Sequence, residues 1–169
     1  MSILTWFSRS SIGIGVGTKD ASLSRVPGWE KESWGMHGDD GSAFHGGGER
    51  GKTFGTAFNL DDTIGCGMNF RTSTLFFTKN GEYCGMYSFS SAMKNHAANL
   101  VLGIAFRDVR EKVYPFIGMR KNGEHVRVNF GQSPFVFDID GLVKVSGSRS
   151  KKPYVDANLG TERKRQHPR

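Results

Sequence analysis

Ile12-Gly13-Ile14-Gly15-Val16-Gly17 sets an apolar β-branched residue at every second position with glycine between, so an extended chain here has one hydrophobic side and one bare side. A period of two marks a strand with one face on a core; a helix would spread these residues around its axis. The alternation returns at Ile64, Cys66, Met68 and Phe70 against Gly65, Gly67, Asn69 and Arg71. It returns again at Leu102, Ile104 and Phe106, and at Val126, Val128 and Phe130. All four segments are expected to be strands that face one core.

The turns between them carry their own chemistry. Lys79-Asn80-Gly81-Glu82 and Lys121-Asn122-Gly123-Glu124 each place Asn-Gly where a two-residue type I′ hairpin requires positive φ twice. The first predicts a hairpin joining Thr74–Thr78 to Tyr83–Tyr87, the second one joining 113–119 to 124–130. With 23 glycines in 169 residues and about ten short strands between turns, the expected fold is all-β: a two-layer antiparallel sandwich. Helix is expected only as a short turn over Ser90–His96, where serines stand ready to cap. Beyond Asp140 no hydrophobic period is apparent, so residues 1–141 are expected to form the domain and 142–169 a disordered basic tail.

Charge distribution narrows the class of partner. The formal net charge is +7, but residues 143–169 hold eight Lys/Arg and only two Asp/Glu, which leaves the body nearly neutral. Phosphate neutralisation needs clustered cations on a folded surface, so nucleic acid is not expected as a partner of the domain. Cys66 and Cys84 are too few for a disulfide framework or zinc site and are expected as buried free thiols. The opening Met1–Arg9 lacks a signal-peptide core, and no apolar run reaches membrane-spanning length. The expectation is a monomer in the cytoplasm or nucleus, with no membrane partner.

Gly46-Gly47-Gly48-Glu49-Arg50-Gly51-Lys52-Thr53 fits the phosphate-loop pattern letter for letter. That chemistry needs a helix starting at the lysine, so that backbone N–H groups converge on the phosphates. Phe54 to Asp62 shows no helical stripe, and the segment is expected to be a surface loop; a nucleotide site at 46–53 stands as the alternative reading. The five histidines have no metal-ligand spacing, and Asp39-Asp40 between glycines fits a turn better than calcium or acid–base chemistry. No cofactor, metal or small-molecule substrate is expected. The aromatic group Trp29, Trp34, Phe44, Phe54 and Phe58 reads equally as core plugs or as anchors of a protein interface.

Taken in order, Ile12–Asp20, Pro27-Gly-Trp-Glu30, Trp34-Gly-Met-His-Gly-Asp-Asp-Gly41, Asp62–Phe70, Phe77-Thr-Lys-Asn-Gly81, Tyr114–Gly118 and Asn129–Phe137 resemble a SPRY (B30.2-like) domain of the kind found in the Ran-binding protein M group. The resemblance spans Ile12 to about Asp140. It implies a bent two-sheet sandwich without catalysis that binds partner proteins or peptides through loops at one edge, as a scaffold or a ubiquitin-ligase substrate receptor. The implied partner-binding residues are Trp29, Trp34, His37, Asp39, Asp40, Lys79, Asn80 and Arg107. Three departures stand out. The strand before Ile12 is shortened to Ile3–Phe7, which suggests an incomplete or rebuilt edge. The helical LisH and CTLH regions of the group have no counterpart here, so its ligase-complex role does not carry over. The sequence is also similar to the SPRY effectors secreted by plant-parasitic cyst nematodes, though without their signal peptide; as such an effector, the chain would act in host cells.

Overall fold

The computed structural model describes residues 2–5, 12–48, 51–85 and 103–148, with side chains over 12–48, 51–85 and 103–144. It contains eleven strands and one helix among those residues. One sheet runs in the order β11(Val126–Asn129), β1(Ser2–Thr5), β6(Thr63–Asn69), β7(Thr74–Lys79), β8(Glu82–Tyr83), with β9(Ile104–Phe106) also paired to β7. The other runs β10(Tyr114–Gly118), β2(Gly13–Gly17), β3(Ser33–His37), β4(Ser42–His45), β5(Lys52–Thr53). Every pairing is antiparallel. The expected all-β antiparallel sandwich is the fold observed.

The core is built by the period-two residues of both sheets. Ile12, Ile14 and Val16 meet Trp34, Met36 and Ala43 from one sheet and Ile64, Cys66, Leu75 and Phe77 from the other, with Phe54 and Phe58 filling between. Each large apolar side chain so buried contributes roughly 1.5–3 kcal/mol of transfer free energy. Both cysteines are free and buried.

The bare side of β2 has a structural purpose. Gly118, Gly13 and His37 lie side by side across three strands, as do Phe116, Gly15, Gly35 and Phe44 across four. The segment Val26-Pro27-Gly28 rests on this face: a Cβ at Gly13 would meet Pro27 Cδ at 3.1 Å, and one at Gly118 would meet Val26 Cγ1 at 2.7 Å. The other sheet repeats the device, with the Phe76 ring lying over Gly67 and Phe137 packed on Phe76 and Tyr83 at 5.7 and 4.9 Å between ring centroids.

Four expectations need correction. Asn80 (φ 52°) and Gly81 (φ 87°) do form the expected I′ turn, but Asn122-Gly123 does not. There only Gly123 has positive φ, and the Glu124 N–H reaches the Lys121 carbonyl at 3.4 Å, a type II arrangement. The Glu124 carboxylate accepts the N–H groups of Arg120 and Lys121 at 2.8 and 2.9 Å, which removes donors a ladder would use. The chain therefore crosses between sheets: β10 pairs with β2 and β11 with β1.

The apolar alternation also stops one residue early in two strands. Asn69 Oδ1 takes the N–H groups of Arg71 and Thr72, and Gln132 Oε1 takes that of Phe130, so Phe70 and Phe130 leave the core side and are 79% and 61% exposed. The short first strand is present, but it lies inside its sheet, between β11 and β6, rather than at an edge. A helix also forms beyond the short turn that was expected. Ile139–Ser148 is a helix, α1, whose N-terminus Asp138 caps by accepting the Gly141 N–H at 2.8 Å. The expected turn at Ser90–His96 lies outside the described residues.

Candidate functional site

Strand direction gathers most of the singled-out residues at one end of the sandwich. The β3–β4 turn begins at His37, whose register partner is Gly13 at the start of β2, and Gly13 in turn pairs with Gly118 at the end of β10. Loops 38–41 and 119–125 therefore emerge together, and segment 24–31, which leaves β2 and enters β3 at the opposite, Gly17–Ser33 end, reaches them by folding back over the bare face of β2, where Pro27 meets Gly13 and His37. Segment 54–62 is tied to the β3–β4 turn by Gly55 N–H to the Gly41 carbonyl at 2.9 Å and Phe58 N–H to the Gly38 carbonyl at 2.8 Å. The Asn80-Gly81 hairpin joins through Lys79, whose ammonium donates to the Ala57 carbonyl at 2.7 Å and pairs with Asp62 at 2.8 Å.

Trp29 is the centre of this end. Its half-buried indole lies 5.5 Å from the His37 ring, and His37 stacks on Phe44 at 4.2 Å. Arg120 and Arg25 bracket the indole, with guanidinium carbons 4.8 and 5.6 Å from the ring centroid. Arg25 also approaches Glu30 at 3.6 Å. The Trp29 Nε1 is buried without a hydrogen-bond partner.

His37 is almost fully buried and donates from Nε2 to the Pro27 carbonyl at 2.9 Å. Burial lowers its pKa, against the Pro27 hydrogen bond and the charges of Asp39 and Asp40, while Arg120 adds to the lowering. A neutral imidazole held this way is a support for loop 26–30 and for Trp29.

The other expected residues divide by position. Asp39 is exposed in the turn, and Asp40 is spent on it, accepting the Ser42 N–H at 2.7 Å and hydroxyl at 2.8 Å. Lys79 and Asn80 are spent on Asp62 and its neighbours: Asn80 accepts the Thr63 N–H at 2.8 Å and donates to Asp62 at 2.8 Å. Burial would raise the Asp62 pKa, but hydrogen bonds from Lys79, the Asn59 backbone and Asn80, with the Lys79 charge, lower it overall. Trp34 is a core residue, stacked on His45 at 4.5 Å. Arg107 follows β9, which pairs with Leu75 and Phe76, so it stands at the opposite end of the sandwich from Lys79. Arg25 and Arg120 were not apparent from the sequence, because nothing linear brings residue 120 to residue 29.

A cavity of about 620 Å³ opens beside the hairpin, lined by Phe54, Thr56, Glu82, Tyr83 and Cys84 among others. The phosphate-loop alternative fails on geometry: Lys52 and Thr53 form β5, paired antiparallel to β4, and no helix starts there.

The SPRY domain family model matches residues 4–133. Ran-binding protein 9 of Xenopus tropicalis is 44% identical over 133 residues, covering 79% of this chain and 21% of that protein. The Ran-binding protein M homolog of Arabidopsis thaliana is 35% identical, covering 79% of this chain and 24% of that protein. The chain thus spans about a fifth to a quarter of these two relatives. A crystal structure of a human SPRY domain superposes with a TM-score of 0.59 at 28% identity, covering 79% of this chain and 76% of that one.

Proposed function

Since this chain belongs to the SPRY domain family, a family of protein-interaction modules, we propose that it binds a protein or peptide partner through the loops at the Trp29 end of the sandwich. The observation that carries this reading is the Trp29 cluster: a half-exposed indole on a rigid floor of His37 and Phe44, flanked by guanidiniums. Aromatic and arginine side chains dominate interface energetics when a rigid support spares them ordering entropy. The hydrogen bonds among loops 38–41, 54–62 and 79–82 supply that rigidity. Specificity then resides in loop side chains, which vary without cost to the sheets that hold them.

The module is read as non-catalytic. Its one buried histidine at this end is committed to the Pro27 carbonyl, and both thiols are held protonated by burial, which raises Cys66 to about 12 and Cys84 to about 11. Effector or adaptor roles follow from whichever partner is bound.

The test is affinity capture with three proteins: the intact chain, a Trp29→Ala, Asp39→Ala double variant, and Arg107→Ala, each checked for fold by circular dichroism. A partner lost from the double variant and kept by Arg107→Ala is expected. A partner kept by the double variant overturns the reading.

A further inference from the structure

Two guanidiniums on one indole are electrostatically unfavourable unless something compensates them. Arg25 has Glu30 within 3.6 Å. Arg120 has no comparable partner: its backbone N–H is held by the Glu124 carboxylate at 2.8 Å, while its guanidinium, laid over Trp29, makes no hydrogen bond or ion pair among the described residues. A guanidinium has five N–H donors in a planar fork that matches a carboxylate. Here the backbone and the indole orient that fork in advance.

We propose that Arg120 is the specificity-determining residue of the loop end and recognises a carboxylate, the side chain of an Asp or Glu in the bound protein segment. This rests on the reading that the Trp29 end is the binding surface. A carboxylate fits better than a phosphate. One fork is available, since Arg25 leans on Glu30, and the exposed Asp39 beside the neighbouring His37 disfavours a dianion. The Trp29 face next to the fork accepts an apolar or aromatic neighbour of the acidic residue.

The test uses a random peptide display library selected on the immobilised full chain, and in parallel on Arg120→Gln, Arg120→Glu and Trp29→Ala, with circular dichroism and thermal melts confirming fold. Arg120 is exposed, so its variants are expected to fold. Peptides selected by the intact chain are expected to be enriched in Asp and Glu, an enrichment lost with Arg120→Gln and reversed toward Lys and Arg with Arg120→Glu. For one such peptide, replacing its acidic residue by the amide weakens binding by about 10- to 100-fold, the range for a hydrogen bond to a charged group. An acidic preference that persists in Arg120→Gln, no acidic preference at all, or a stronger preference for phosphorylated peptides overturns the assignment of Arg120. Peptides that bind Trp29→Ala as well as the intact chain overturn the site itself.

Discussion

The backbone approach at Gly15 is the least forgiving point in the chain. A Cβ there would collide with the Trp34 carbonyl and stand 2.7 Å from the Gly35 Cα, so Gly15→Ala is expected to cost about 3 kcal/mol or more, read as a lower urea midpoint or loss of soluble protein. Asp62→Asn removes a largely buried partner of Lys79 and is expected to cost roughly 1.5–3 kcal/mol at neutral pH. Because the Asp62 pKa is depressed in the folded state, its stabilisation is present above the unfolded carboxylate pKa of 3.8 and is lost as pH falls through the folded value. The two proteins should therefore converge in acid. His37 runs on a different window. Its folded pKa is also depressed, so the unfolded chain takes up the proton first and stability declines as pH falls below 6.5 toward the folded pKa. His37→Gln should flatten that decline in denaturation curves taken across the range. At this scale the sequence was informative where chemistry is local, as with the Asp39-Asp40 turn. It was silent on Arg120, whose importance arises only from where the crossover loop lands.

Two Asn-Gly pairs of the same sequence type do different things because their strands have different partners. Asn80 holds φ 52° and ties Thr63 to Asp62, whereas Asn122 sits at the first corner of a type II turn with negative φ. Asn80→Ala is expected to cost about 1–2 kcal/mol from the left-handed backbone alone, and more with its hydrogen bonds, while Asn122→Ala should leave thermal stability nearly unchanged. Strand faces were legible because a period of two is a direct consequence of burying one side, as in Ile12, Ile14 and Val16. Strand ends were less so: side-chain oxygens of Asn69 and Gln132 end β6 and β11 before Phe70 and Phe130, a competition that hydrophobic pattern does not register. The helix at Ile139–Ser148 was missed for a similar reason, since its start depends on the Asp138 cap and its large apolar residues are only Ile139, Leu142, Val143 and Val145.

Across the molecule, the two tryptophans singled out together separate into distinct tasks. Trp34→Ala empties a core position and is expected to cost about 3–5 kcal/mol, whereas Trp29→Ala should retain the fold and lose the partner. Near-ultraviolet circular dichroism and capture, measured on both, separate the two outcomes. The sandwich and the interaction class were legible because repeated strand faces and ordered motifs specify them jointly; the membership of the loop end was not, because Lys79 ends β7 whereas Arg107 follows β9, which pairs beside the other end of β7.

The last two strands close on the first two: β11 pairs with β1 and β10 with β2. During synthesis, then, one sheet cannot be completed until residue 118 has left the ribosome and the other until residue 129, and chains stopped before Tyr114 lack an edge strand from both layers at once. Such fragments would expose β1 and β2 along their open sides, so this domain should accumulate either whole or as an aggregating or degraded species, with no half-sandwich between.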